Sequence, residues 1–570
     1  MRNSAKGGLA SFTYWRRNYV NSHAESPPPS TEWWRTAVIY QIYPRSFADA
    51  SGNGVGDLRG ITGHLADLES LGVDAIWLSP FYTSPQRDGG YDVSNFMDVD
   101  PLFGNLDDFE AMVTESHARG MRVIVDIVPN HTSDQHEWFQ RALATPPGSP
   151  ERDRYIFRPG HGPSGDERPN NWVSVFGGPA WSRVTDPDGT PGDWYLHLFD
   201  STQPDLNWKN EHVLAGFDEI LRFWLDRGVD GFRVDVAHGL IKADGLPDFV
   251  VDESAGSMGS LTETPPFWAQ EGVHDVWRRW REVLNAYDGE RILAAEAWVY
   301  PLSNMAKWVR PDEMHQAFNF AYLETAWRAA DLRDIIDTSI REFGAVGAPS
   351  TWVLSNHDVV RHATRLSLGE ENPQGHGIGA DTVGLPDPAQ ALRRARAATL
   401  LMLALPGSSY IFQGEELGLP EAIDIPDDAR ADPTWFRTQG ERYGRDGCRV
   451  PLPWNADAPA FGFSDTGETW LPQPSEWHEL ARDAQVGQPD STLTLYTTAL
   501  KLRREMDTAA ASLEWLDDSP AGCLSFRVGT VTVFANVDGE PMPVPAGEIL
   551  ASSAPIGDML PADTTVWVRA

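Results

Sequence analysis

The sequence predicts an α/β fold, a (β/α)8 TIM barrel with a small domain inserted after its third strand and a C-terminal antiparallel β domain. Three observations carry this expectation. Short, near-continuous apolar runs alternate with amphipathic helical stretches. One interval between such runs is far longer than a single helix needs. Near the end of the chain the pattern switches to short alternating segments. At 570 residues the chain is too long for one core and long enough for several domains.

The strand candidates follow in order. They are Ala37–Tyr43, Asp74–Ser79, Arg122–Val128, Gly231–Val236, Arg291–Glu296, Ala317–Tyr322, Thr351–Ser355 and Ser408–Phe412. Each reads as a continuous apolar run, as a parallel strand buried on both faces should. Helical periodicity fills intervals such as Leu106–Arg119, Val213–Arg227 and Val273–Asn285. The long interval falls between the third and fourth strands and is rich in Gly, Pro and Trp. Residues 131–207 are therefore assigned to an inserted domain, and residues 33–130 and 208–485 to the barrel. Another irregular stretch, Gly418–Pro474, follows the eighth strand. Residues 486–570 form the expected C-terminal β domain, with alternation at Cys523–Val528 and Thr530–Ala535. Residues 1–32, ending near Ser26-Pro27-Pro28-Pro29-Ser30, read as a disordered extension.

Composition narrows the function classes. Apolar residues make up 41% of the chain, enough for a sizeable core. Aromatic residues reach 11%, including 23 Trp; most serve packing, and some suit the flat C–H faces of pyranose rings. Lys plus Arg number 46 against 82 Asp plus Glu, for a net charge of −36. Such a surface repels nucleic acid and anionic membranes, so neither is expected as a partner. No G-x-x-x-x-G-K-[ST] loop is present. The 2 cysteines, Cys448 and Cys523, exclude a disulfide framework or a cysteine zinc site. No apolar run is long enough to span a membrane, and the first residues lack a secretory h-region. A cytoplasmic enzyme, monomeric or weakly self-associating, is the expectation.

In such a barrel the C-terminal strand ends carry the active face. There the sequence places Asp126-Ile-Val-Pro-Asn130-His131, Gly231-Phe-Arg233-Val-Asp235, Ala295-Glu296-Ala297-Trp298 and Ser355-Asn356-His357-Asp358. Carboxylates, histidines and one arginine thus converge on one mouth. Retaining glycosidases need such a set: a carboxylate nucleophile and a carboxylic acid about 5 Å apart. Neighbouring acids raise one another's pKa, so one stays protonated. Arg233, two residues before Asp235 on one strand face, would hold Asp235 ionised. The histidines can hydrogen-bond sugar hydroxyls as charge develops.

DIVPNH, GFRVDVAH, AEAW and SNHD resemble the best-known sequence regions of the α-amylase clan, glycoside hydrolase family 13. QIYPRSF, QPDLN at Gln203–Asn207 and QGEELG at Gln413–Gly418 also resemble this family, QPDLN its α-glucosidase and oligo-1,6-glucosidase branch. The resemblance runs from Trp33 to the C-terminus. It implies Asp235 as nucleophile, Glu296 as general acid/base and Asp358 as the acid that grips sugar hydroxyls. It implies His131 and His357 as transition-state histidines and Arg233 as partner of the nucleophile. Asp88-Gly-Gly-Tyr91-Asp92 resembles the stretch whose Asp binds the terminal glucose and whose Tyr stacks on it. Arg445-Asp-Gly-Cys-Arg449 resembles a stretch whose last Arg pairs with that Asp. An Asp88–Arg449 pair would close the cleft and admit only chain ends. Phe157, Phe176 and Phe320 are candidates for the pocket wall.

Asp49-Ala-Ser51-Gly-Asn53-Gly-Val55-Gly-Asp57 alternates oxygen donors with glycines, a spacing that suits a hard cation. The family binds a structural Ca2+ or Mg2+ at a similar place; catalysis itself needs no cofactor. The expected activity is a retaining exo-α-glucosidase acting on short α-glucosides. Val236 after the nucleophile resembles α-1,6-active members, while the following Ala-His-Gly departs from them, and maltose-type α-1,4 substrates are slightly favoured. A transglucosylase or sugar isomerase with the same triad stays open. A catalytically inactive sugar-binding protein on this fold is the distant alternative, since fold alone does not assign function.

Overall fold

The computed structural model describes residues 32–250, 264–369, 372, 375–516 and 518–569. The N-terminal extension expected over residues 1–32 lies outside them except for Glu32. Eight parallel strands build the central sheet: β1 (Val38–Ile42), β2 (Ala75–Leu78), β3 (Arg122–Ile127), β4 (Gly231–Val234), β5 (Ile292–Ala295), β6 (Gln316–Ala317), β7 (Thr351–Val353) and β8 (Ser408–Phe412). Their order is β6-β5-β4-β3-β2-β1-β8-β7. A parallel bridge between Phe318 and Thr351 joins the two edges and closes the barrel. Strands β1, β2, β4, β5, β7 and β8 are buried at every position, as their uninterrupted apolar runs require.

The sixth strand is shorter than the apolar run Ala317–Tyr322 suggests. Its second half, Phe320–Glu324, is a helix. The cause is Asn319, whose side chain accepts from the Tyr322 N–H and caps the helix. Asparagine thus splits a run that hydrophobicity alone reads as continuous. The expected helices form at Leu106–Ala118 and Glu211–Leu225, capped by Asn105 and Asn210, and at Val273–Asn285.

Between β3 and β4 a three-stranded antiparallel sheet (Phe157–Arg158, Trp181–Thr185, Pro191–Leu196) stands over the mouth. Its Trp172, Trp181, Leu196 and Leu198 share one apolar cluster with Val236 and Trp268 of the barrel loops. The insertion is therefore seated on the loop that follows β4. A five-stranded antiparallel sheet covers the C-terminal region. It is anchored to helix Pro388–Ala404 by Trp567 Nε1–H donating to the Leu400 carbonyl and Thr565 Oγ1–H to that of Ala397. No helix among the described residues is long and apolar enough to cross a membrane.

Candidate active site

Parallel register brings the central arginine and its first partner together. Arg233 on β4 stands opposite Asp126 on β3, and both side chains point into the barrel. Arg233 is 1% exposed. Its Nη1 donates to both Asp126 oxygens at 3.0 and 3.2 Å and to Asp235 Oδ1 at 2.5 Å. Its Nη2 lies 3.9 Å from Glu296 Oε2. The guanidinium also faces the rings of Trp77 and Tyr91. Strands β4 and β5 stop at Val234 and Ala295, so Asp235 and Glu296 are the first residues beyond their strands.

Between them the backbone is strained. Val236 has φ +44°, an uncommon conformation for a β-branched residue. That conformation accompanies a 2.7 Å bond in which the Val236 N–H donates to Glu296 Oε2.

Three buried carboxylates share one guanidinium. Burial raises the pKa of Asp126 to about 7 against the pull of Arg233. Burial also raises Asp235 and Glu296; Arg233 opposes it in both, and neighbouring carboxylates add to it. The cluster therefore holds a proton near neutrality. Asp235 is bonded directly to Arg233 while Glu296 lies 3.9 Å from it, so the guanidinium favours the anion on Asp235 more than on Glu296. One ionised and one protonated carboxyl is the pairing that retaining glycoside chemistry needs.

Asp358 closes the other side. Burial would raise it, but His357, Arg445 and Arg449 outweigh burial and hold it below the usual carboxylate range. His357 accepts at Nδ1 from Gln41 Nε2 at 2.7 Å, which leaves its proton on Nε2, 3.2 Å from Asp358 Oδ2. Burial pushes the His357 pKa well down, so the ring is neutral. Tyr91 stacks on it with centroids 5.2 Å apart and planes 6° apart, and donates its hydroxyl proton to Asp126 Oδ2 at 3.0 Å. His131 lies at the Tyr91 carbonyl, 3.2 Å from Nε2, and burial lowers its pKa to about 4.

The expected Asp88–Arg449 pair is not formed. Arg445 takes that place: its Nη2 donates to Asp88 Oδ1 at 2.8 Å and its Nη1 to Asp358 Oδ1 at 3.1 Å. Its Nε holds Asp432 at 2.5 Å. Arg449 instead donates through Nε to the His357 carbonyl at 2.8 Å and through Nη2 to Asp358 Oδ1 at 3.0 Å. The short turn Asp446–Cys448 separates the two arginines; both reach Asp358 Oδ1, and Arg445 also reaches Asp88. Phe176 lies beneath Arg445, 5.1 Å from ring centroid to guanidinium carbon.

Phe157 packs on Phe139 and Arg152 inside the inserted sheet, with no contact to these residues. Phe320 stacks behind Trp298, next to Glu296, at 4.1 Å and 12°.

Sequence reasoning assigned no role to Arg445, Asp432, Gln203, Asp126 or Gln41. Gln203 Nε2 donates to Asp88 Oδ2 at 3.0 Å. The signal for Asp126 was its strand position level with Arg233, and for Gln203 its place in the quoted QPDLN stretch.

Asp88 is 3% exposed, and burial raises its pKa to about 6 against the pull of Arg445 and Arg449. Asp88→Ala is expected to raise KM for disaccharides about tenfold with little change in Tm, since Arg445 keeps Asp358 and Asp432. In the parent enzyme KM should rise as pH falls through about 6, where Asp88 gains its proton. Steady-state kinetics against pH check both, and an unchanged KM removes Asp88 from substrate binding.

The loop Asp49–Asp57 is folded tightly on its own donors. Asp49 accepts from the Ser51 hydroxyl and from the N–H groups of Gly52 and Gly54. Asp57 accepts from the N–H groups of Ser51 and Gly60, and Asn53 from that of Val55. Burial raises the pKa of Asp57 against the N–H groups of Gly60 and Ser51, and the nearby Asp49 carboxylate adds to it. The all-oxygen donor set fits a hard cation.

Comparison with known proteins agrees with this geometry. The family described as "Alpha amylase, catalytic domain" matches residues 41–511. A probable alpha-glucosidase of Rhizobium meliloti (strain 1021) is 37% identical over 503 residues, covering 84% of this chain and 83% of the relative. An oligo-1,6-glucosidase of Heyndrickxia coagulans is 34% identical over 510 residues, covering 84% and 86%. The crystal structure of an alpha-glucosyl transfer enzyme superposes with TM-score 0.80 at 33% identity, covering 95% of this chain and 100% of that one. A trehalulose synthase mutant gives TM-score 0.78 at 29% identity, covering 94% and 100%. With an Arg233-centred carboxylate cluster at the mouth of a parallel barrel and a family match over most of its length, the chain belongs to the alpha-amylase family.

Proposed function

We propose that this enzyme is a retaining, exo-acting α-glucosidase that releases α-glucose from the non-reducing ends of short α-glucosides, maltose-type linkages first. One observation carries the reading: Asp235, bonded to Arg233, shares its guanidinium with Glu296, whose pKa burial raises, and Asp88 and Arg445 are paired beside Asp358. Asp235 attacks the anomeric carbon while Glu296 protonates the departing oxygen. Glu296 then deprotonates a water that hydrolyses the glucosyl ester, and two displacements leave the α configuration. Asp358 and the neutral His357 face the same space with an acceptor and an N–H donor for sugar hydroxyls. The Asp88–Arg445 pair is proposed to act as the wall that bars a longer chain beyond the terminal unit.

A second reading, glucosyl transfer or isomerisation with the same acids, is supported by the alpha-glucosyl transfer enzyme and the trehalulose synthase among similar structures. A proton NMR time course with maltose, isomaltose and sucrose separates them. Fresh α-glucose at the cut end supports the hydrolase; new glucosidic signals without net glucose support transfer. No reaction with any of the three sinks both.

The Asp49–Asp57 loop is proposed to take a structural Ca2+ or Mg2+, remote from the chemistry. Saturating Ca2+ should then raise Tm by about 2–4 °C and EDTA reverse it; an unmoved melting curve removes the ion. The unpaired, buried Cys448 and Cys523 support a reducing, cytoplasmic location.

A further inference from the structure

The inserted domain and the segment after β8 are tied together at Arg437, a half-buried residue ending the short helix Pro433–Arg437. Its Nε and Nη2 both donate to the Gly177 carbonyl, at 3.0 and 2.5 Å, and its Nη1 donates to Asp200 Oδ2 at 2.9 Å. Among the described residues, the hydrogen bonds between these two parts of the chain all come from Arg437. A guanidinium suits the task, because its planar fork serves a carbonyl and a carboxylate at once. Gly178, at φ +75°, completes the fit: a Cβ there would stand 3.4 Å from Arg437 Nη2.

Both ends of this tie lead to Asp88. On the inserted domain, Asp200 Oδ1 accepts from the N–H and hydroxyl of Thr202, which leaves Oδ2 for Arg437. The Asp200 N–H donates to Gln203 Oε1 at 2.9 Å, so the amide turns Nε2 to Asp88 Oδ2 at 3.0 Å. Phe176, next to Gly177, lies beneath Arg445. On the other side, Asp432 Oδ1 accepts from the Thr434 N–H at 2.7 Å and caps the helix that carries Arg437. Its Oδ2 holds Arg445, which donates to Asp88 Oδ1. The circuit is closed: Arg437, Asp200, Gln203, Asp88, Arg445, Asp432 and back along the helix. Asp88 is gripped by Gln203 from the inserted domain and by Arg445 from the segment after β8, and Arg437 fixes those two sides to each other.

We propose that Arg437 is a positioning residue for substrate binding: by fixing the inserted domain to the segment after β8, it keeps Gln203 and Arg445 closed on Asp88. Its part in affinity rests on the glucosidase reading, in which Asp88 binds the terminal sugar; the tie itself does not.

Two variants test this in the full chain. Arg437→Met keeps most of the stem and loses every donor. Asp200→Asn breaks the tie from the other side, keeping an oxygen for Thr202 and turning a donor toward Arg437, and it serves if Arg437→Met fails to fold. Hydrogen exchange over residues 175–178 and 200–203 should speed at least about threefold in either variant. Unchanged exchange in a folded variant overturns the tie, whatever the enzyme turns over. Steady-state kinetics on maltose give the second arm. Arg437→Met should raise KM about fivefold and leave kcat within about twofold, whereas a general loosening of the site would lower kcat as well. In an Asp88→Ala background the same substitution should raise KM less than about twofold. An unchanged KM, or an equal rise in both backgrounds, overturns the route through Asp88.

Discussion

Asp235→Asn is expected to lower kcat/KM by at least about 10⁴-fold while the protein stays folded. The amide is neutral and cannot form the glucosyl ester, and no other carboxylate can replace it. Asp126 is spent on Arg233, Tyr91 and Trp77, and Glu296 is held by the Val236 N–H. Stability should not fall. The folded-state pKa of Asp235 is raised, by burial first and then by Glu296, Asp126 and Asp358 against the pull of Arg233. Its ionised form therefore opposes folding at pH above the unfolded carboxyl value, and the neutral amide removes that penalty. Circular dichroism melting beside initial rates on maltose checks both halves. Substantial residual turnover would mean that the nucleophile is another residue.

Glu296→Gln is expected to show a different signature. Turnover of maltose should drop by about 10²–10⁴-fold, because the glycosidic oxygen departs without a proton. Aryl glucosides with acidic leaving groups should lose far less in their first step, since such phenolates need no protonation. The pH profile gives the sign. Burial first, and Asp358 after it, raise the Glu296 pKa against Arg233 and the Val236 N–H. The parent therefore keeps its acid protonated to higher pH than an ordinary glutamate and loses activity as pH climbs through that raised value. The glutamine variant has no proton to lose, so its basic limb should vanish. A basic limb that survives in Glu296→Gln would assign the proton to a different group.

Much of the site was legible because barrel strands translate chain order into spatial order. Once Arg122–Val128, Gly231–Val236 and Arg291–Glu296 read as parallel strands, their C-terminal residues had to meet at one mouth. Asp235, Glu296 and Arg233 follow from that with no knowledge of side-chain contacts. The pairing of Asp88 did not follow. It depends on which of two arginines, separated by a short turn, reaches Asp88. Resemblance pointed to the last arginine of the stretch, and the first one stands there. The same limit explains β6: one asparagine cap outweighed a continuous apolar run. Periodicity reports which face is buried, whereas caps and turns act through single hydrogen bonds that hydrophobicity does not register.

The bond from Arg445 to Asp88 joins residues 357 positions apart. During synthesis Asp235, Glu296 and Asp358 all leave the ribosome before Arg445 does. The far wall is thus among the last parts of the site to arrive, added to a barrel whose eight strands have already been made. The same separation puts one half of the wall, Arg445, in a segment apart from the strands that carry Arg233 and Asp126. Changes confined to the segment after β8 can alter that half and leave the strands leading to Asp235 and Glu296 untouched.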